Sequence, residues 1–212
     1  MNLEPQLKKE WEVFDKWYLK NGIIYPRSTA VLKESLHNPK LEAWRLRVGW
    51  QESEGIKNAA AERGTKVHKA LELIARGEIP KLPRSLQGYL EQFYSFTRDY
   101  APQYITTERT LFDETHVYAT TVDGIAVIKG FSELPVTVEY KTSKAIYPSH
   151  IYQAAAEFHL AQENNIEVGG AILVRINTEE YETLFLEPDA LEVYVQRFLG
   201  FLEHFREFII SE

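Results

Sequence analysis

The chain of 212 residues contains no cysteine. That excludes disulfides, thiolate-held zinc, iron–sulfur clusters and a cysteine nucleophile, leaving His, Asp and Glu as the available metal ligands. Apolar runs long enough to cross a bilayer are missing, and the opening stretch "MNLEPQLKKEWEVFDKWYLKNG" is charged and amphipathic rather than basic and then apolar. The expectation is a cytoplasmic, intracellular chain with no membrane partner, with a viral source equally compatible. Basic residues are outnumbered by acidic ones, 24 to 31, for a formal charge of −7. The whole molecule therefore does not attract a polyanion, and any nucleic-acid contact has to be local. Repeats, low-complexity tracts and linkers are also lacking, so residues 1–212 read as one domain. Hydrophobic residues at 44% and aromatics at 13% are ample for a sizeable core.

Leu7, Trp11, Phe14, Trp17 and Tyr18 fall at helical spacing and predict a helix over about 5–20; Ser28 is placed to cap another. From Ile56 to Ala75 the helical pattern meets "RGTKVH", where Gly64 and Thr65 are expected to end one helix and cap the next. "PRSLQGYLEQFYSFTRDYAP" is a further helix closed by Pro102. Near Tyr104 the period changes from helical to alternating. "YITTERTLF", "HVYATTVDG", "IAVIKGF" and "PVTVEYKT" then predict an antiparallel meander with turns at Asp-Glu, Asp-Gly and Gly-Phe-Ser-Glu. A helix after Pro148, strands at "GGAILVRINT" and "EYETLFLE", and a last helix over about 188–210 complete the order. The chain thus divides into a mainly helical part over about 1–100, a sheet with its helix over about 104–187, and the C-terminal helix: an α/β core behind a helical N-terminal extension.

On a strand, Glu139 and Lys141 share one face and Tyr140 takes the other. An isolated E-x-K of this kind is ordinarily a solvated ion pair of little energetic value. Here Val136 and Val138 point to a buried opposite face, and Asp123 lies one hairpin connection upstream. Two carboxylates converging on one point repel unless a cation holds them, and hard oxygen donors suit Mg²⁺ or Mn²⁺. His68 and Glu72, four apart, share a helix face, which a surface pair or a satisfied core histidine would also explain.

Together "GTKVHKALE", Glu108-Arg109, "TVDG" with "VEYKT", and "HIYQAAAEF" resemble the PD-(D/E)XK nuclease superfamily, in particular its RecB-like exonucleases, which include CRISPR-associated and phage relatives. The resemblance spans about Arg63 to His159. It implies a restriction-endonuclease-like α-β-β-β-α-β core with a mixed sheet. It also implies a metal held by His68, Asp123, Glu139 and the backbone carbonyl of Tyr140, with Glu108 a further candidate ligand. Lys141, beside the catalytic Asp123 and Glu139, would orient or activate the attacking water and steady charge on the phosphate. Gln153 would bind substrate or organise the site, with Glu72 behind the metal ligands. Two positions depart from the family: Glu157 stands where a tyrosine is usual, and Val122 where the superfamily has proline.

The activity so implied is Mg²⁺- or Mn²⁺-dependent hydrolysis of DNA phosphodiester bonds, by an exonuclease acting on single strands or free ends and lacking the iron–sulfur cluster of some relatives. The alternatives are an endonuclease of the same fold and a non-catalytic nucleic-acid-binding module. Arg63, Thr65, Lys66, Lys69, Lys129 and Lys144 are candidates for the local phosphate-binding rim an acidic chain needs. His150 and His159 read as structural. Trp11, Trp17, Tyr18, Trp44 and Trp50 read as core packing rather than base-stacking platforms.

Overall fold

The computed structural model describes residues 11–207, so Leu7 and residues 208–210 of the last expected helix lie outside it. The first segment is not helical. Trp11–Val13, Trp17–Lys20 and Ile23–Pro26 form β1, β2 and β3 of an antiparallel meander. The turn between β2 and β3, Asn21-Gly22, has both residues at positive φ, as a two-residue hairpin demands, and this local chemistry overrides the helical spacing of the aromatics. Four helices follow: α1 (Ser28–Ser35), α2 (Pro39–Val48), α3 (Trp50–Ala75) and α4 (Gln87–Tyr100). The break expected at Gly64-Thr65 is absent. The helix α3 runs through it, and the Thr65 hydroxyl donates back to the Ala61 carbonyl instead of capping a new helix.

The main sheet has the order β4-β5-β6-β7-β8, built from Gln103–Asp113, Tyr118–Val127, Val136–Lys141, Ala171–Ile176 and Tyr181–Leu186. Its first three strands are the expected meander, with β5 continuing straight through Asp123-Gly124 rather than turning there. Between β6 and β7, which are parallel, the chain crosses over through α5 (Pro148–Glu163); β8 returns antiparallel and leads into α6 (Pro188–Phe205). This is an α/β mixed sheet in the restriction-endonuclease-like arrangement, with helices ahead of it and one behind.

The central strands β6 and β7 are buried on both faces, and their side chains alternate between two cores. Val136, Val138 and Tyr140 join Ile172 and Val174 against Val67, Leu71, Phe93 and Phe96 of α3 and α4. Leu173 and Ala171 pack on the other side with Ala154, Ala155, Phe158, Val195 and Phe198 of α5 and α6. The three consecutive alanines of α5 are each at most 1% exposed, letting that helix lie close over the face that carries Glu139. Of the N-terminal aromatics, Tyr18 is buried and Trp11 packs edge-on to Phe112, as core residues should. Trp17 and Trp50 depart from that expectation: Trp50 is 70% exposed, with the Arg45 guanidinium over its ring.

Candidate metal centre

Glu139 and Lys141 occupy the α5 side of β6. Their side chains are only 4% and 16% exposed, so the solvated-face explanation of E-x-K does not apply. The lysine ammonium donates to Glu139 Oε1 and, at 2.8 Å, to Gln153 Oε1. Gln153 in turn donates through Nε2 to Glu157 Oε1 at 2.9 Å, so one row of side chains runs from β6 into α5. The amide of Gln153 can serve both ends only in one orientation, with its oxygen toward Lys141 and its nitrogen toward Glu157.

Asp123 comes from β5. That strand pairs with β6 from Ala126↔Val136 to Gly124↔Val138 and no further. Past that point the Tyr140 amide donates to Asp123 Oδ2 at 2.8 Å, a carboxylate taking the place of a ladder partner. On the α3 side His68 Nδ1 lies 3.3 Å from the same carboxylate. His68 thus completes a group of Asp123, Glu139, Lys141 and the Tyr140 peptide, which come from three elements. Sequence spacing indicates that these residues converge, but not the role of the Tyr140 N–H, because strand divergence leaves no residue pattern.

Electrostatics separate the two central carboxylates. Burial raises Glu139, and the Asp123 charge pushes it higher. Burial would also raise Asp123, yet His68 and the Tyr140 amide hold it below its usual value. Burial acts to lower His68, but the neighbouring Asp123 outweighs it and raises the imidazole. Glu139 Oε2 is buried and has no hydrogen-bond partner among the described residues. An unpaired carboxylate oxygen, a second carboxylate and an imidazole make a donor set that a divalent cation fits.

Beside the group a cleft is lined by His68, Glu72, Glu108 and Asp123 on its polar side and by Leu71, Ala75, Tyr104 and Tyr140 on its apolar side. Glu108 sits on β4 opposite Asp123, between the pairs Thr107↔Gly124 and Arg109↔Val122, with φ at 50°. A non-glycine residue in that region is strained, and such strain concentrates at functional sites. Burial, then the charges of Asp123 and Glu72, raise Glu108 to about 7. Glu72 is itself held by Lys69 at 2.6 Å and Arg76 at 2.8 Å. The Tyr104 hydroxyl bonds to that of Tyr140, and its ring lies over Gly124, where a Cβ would come within 3.2 Å. Glycine at 124 is what lets that ring approach.

The remaining candidates scatter. A Cβ on Gly64 would lie 3.4 Å from Thr142 Oγ1, which puts Arg63 and Thr65 of α3 alongside the end of β6. Lys66 is paired with Glu62 on the same helix, and Lys144 is exposed in the loop after β6. Lys129 lies past the far end of β5, six residues beyond Asp123, and does not flank the group. His150 caps α5 by accepting from the Tyr147 amide, and burial plus the Lys141 charge lower it to about 4. A second gathering was not evident from the sequence: Asp113, His116 and His159 place three potential ligand atoms within 4.8 Å of one another.

Strand order and the positions of Asp123, Glu139 and Lys141 together make a mixed α/β sheet in the restriction-endonuclease-like arrangement with a buried acidic cluster and a lysine at its centre. No family model matches the chain, and no curated protein matches it in sequence. Among solved structures, it is similar to a putative exonuclease from Eubacterium rectale at 12% identity and TM-score 0.48, over 70% of this chain and 66% of that one. It is also similar to an alkaline exonuclease from Laribacter hongkongensis at 13% identity and TM-score 0.42, over 88% and 92%. The same enzyme in complex with dAMP gives 14% and 0.40, over 87% and 89%.

Proposed function

We propose that the chain is a metal-dependent deoxyribonuclease, an exonuclease acting on single strands or free ends. The observation that carries this is Asp123, which accepts the Tyr140 amide while contacting His68, next to the buried Glu139–Lys141 pair. In this reading His68, Asp123, Glu139 and the Tyr140 carbonyl hold Mg²⁺ or Mn²⁺, with Glu108 joining them from the cleft. The imidazole favours Mn²⁺ more than an all-oxygen site would. When bound, the cation supplies Lewis acidity toward a phosphate oxygen and a water of lowered pKa.

Lys141 serves as a cation rather than a base. Burial acts to lower it, but the adjoining Glu139 more than compensates, so it stays protonated at neutral pH. Its ammonium, aimed by Glu139 and Gln153, donates to the phosphate oxygen on which charge accumulates. Glu72 steadies the helix face behind His68. Arg63, Thr65 and Lys144 border the end of β6, where they meet the nucleic-acid backbone.

The test is purified protein with Mn²⁺ or Mg²⁺ against end-labelled single-stranded, duplex and covalently closed circular DNA. Release of nucleotides from linear DNA with the circle left intact supports the exonuclease. Cutting of the closed circle supports an endonuclease of the same fold. DNA binding without turnover under either metal would leave a binding module.

A pH prediction follows from the same cluster. Glu108 titrates near 4.5 unfolded and about 7 folded, and His68 and Glu139 are also raised. All three are acids or bases whose folded form holds its proton longer, so the metal-free protein loses stability as pH rises through this range. Metal binding requires those protons to leave, so its affinity climbs over the same range. Below about pH 6.5 the lowered His150 acts the other way, so thermal melts from about pH 6.5 to 8 with EDTA, repeated with Mn²⁺, should show opposite trends; a metal-free melting temperature that rises over that range would contradict the assigned cluster.

A further inference from the structure

Asp113 ends β4 and is fully buried. Its Oδ1 accepts the backbone N–H groups of Thr115 and His116, both at 2.8 Å, so the turn into β5 is built around that oxygen. The other oxygen, Oδ2, faces two imidazoles: His116 Nδ1 at 2.8 Å and His159 Nε2 of α5 at 3.3 Å. The second is an ion-pair contact, and the buried His159 Nε2 has no hydrogen-bond partner among the described residues. The ring is nevertheless fixed in orientation. Tyr118 stacks on it at 6.3 Å with the planes 4° apart, and Tyr118 is anchored by its hydroxyl to the Ala156 carbonyl. Arg206 closes the turn by donating to the carbonyls of His116 and Val117.

The geometry points to a second metal site, in which Asp113 Oδ2, His116 Nδ1 and His159 Nε2 take a borderline transition ion such as Zn²⁺. One carboxylate and two imidazoles are a familiar donor set for this ion, with a water in the fourth position. Tetrahedral bonds of about 2.0–2.2 Å separate ligand atoms by about 3.3–3.6 Å; Asp113 Oδ2 lies 2.8 and 3.3 Å from the two imidazole nitrogens, at or just inside that spacing, and the three ligand atoms lie within 4.8 Å of one another. The half-exposed His116 is the side open to the fourth ligand. Bridging the β4–β5 turn to α5 would make the ion a structural clip. Asp113 pairs with Tyr118, five residues before Asp123, so the clip lies about 17 Å along β5 from the candidate nuclease centre.

The experiment reads zinc binding alone, so its result does not depend on the nuclease assignment. The full chain carrying His68→Gln and Asp123→Asn, which removes two ligands of the other centre, is stripped with EDTA and titrated calorimetrically with Zn²⁺. One ion per chain is expected, with a melting-temperature rise of roughly 5–10 °C at 100-fold excess over Kd. Adding His116→Gln or His159→Gln should weaken binding at least about tenfold, the loss that even an outer-shell change brings. His116, 39% exposed, is the variant least able to disturb folding, and circular dichroism checks it. No zinc bound by the parent, or unchanged affinity after His116→Gln, overturns the site.

Discussion

Glu139→Gln is expected to lower metal-dependent DNA cleavage by about 100- to 1,000-fold, the scale on which an essential electrostatic group acts, while shifting the melting temperature little. The side chain is the same size and keeps an oxygen toward the Lys141 ammonium. What it loses is the charge, and that charge is unfavourable in the metal-free fold: burial and the Asp123 carboxylate both raise Glu139. Removing it offsets the weaker grip on Lys141. Lys141→Ala is a coarser probe. It strips the ammonium from Glu139 and Gln153 in a setting only 16% exposed, and breaking a buried pair costs about 3–5 kcal/mol. Inactivity of that variant must therefore be read beside its melting curve. Equal cleavage rates for wild type and a folded Glu139→Gln protein would remove the proposed function.

Much of this site was legible because its members are polar residues at positions where a core pattern demands apolar ones. Val136, Val138 and Tyr140 define the face of β6, and only then do Glu139 and Lys141 stand out on the other buried face. His68 follows Val67 on a helix whose neighbours Ala70 and Leu71 are core. The N-terminal meander was hidden for the opposite reason. Aromatics at helical spacing were compatible with a helix, and the short hairpin at Asn21-Gly22 was the weaker signal. Asp123-Gly124 misled in the same way: a frequent turn dipeptide lies mid-strand because Tyr104 needs the glycine for its ring. The Asp113 cluster could not be read at all, since His159 reaches it from α5 across 46 positions of sequence.

Glu157 ties the fold to the chemistry, and its replacement by Leu should make the protein more stable and less active. The residue is 0% exposed and its Oε2 has no partner among the described residues. Burial first, and then the charges of Glu139 and Asp123, push it well above the usual carboxylate range. A buried polar group left unsatisfied costs about 1–3 kcal/mol, and an apolar residue of similar volume recovers that, for a rise of roughly 2–12 °C in a chain of this size. The Glu157 carboxyl also fixes which way the Gln153 amide faces, through the 2.9 Å bond to Oε1. With Leu in its place the Gln153 nitrogen loses its acceptor, the side chain is freed to change rotamer, and the ammonium loses a fixed second guide. A misplacement of this kind is worth about 10²-fold in rate. Glu157→Gln keeps an acceptor for Gln153 and should retain most activity without the gain in stability. A Leu variant that is both stabilised and fully active would show that the amide needs no guide, and that Glu157 is carried for some other reason than positioning Lys141.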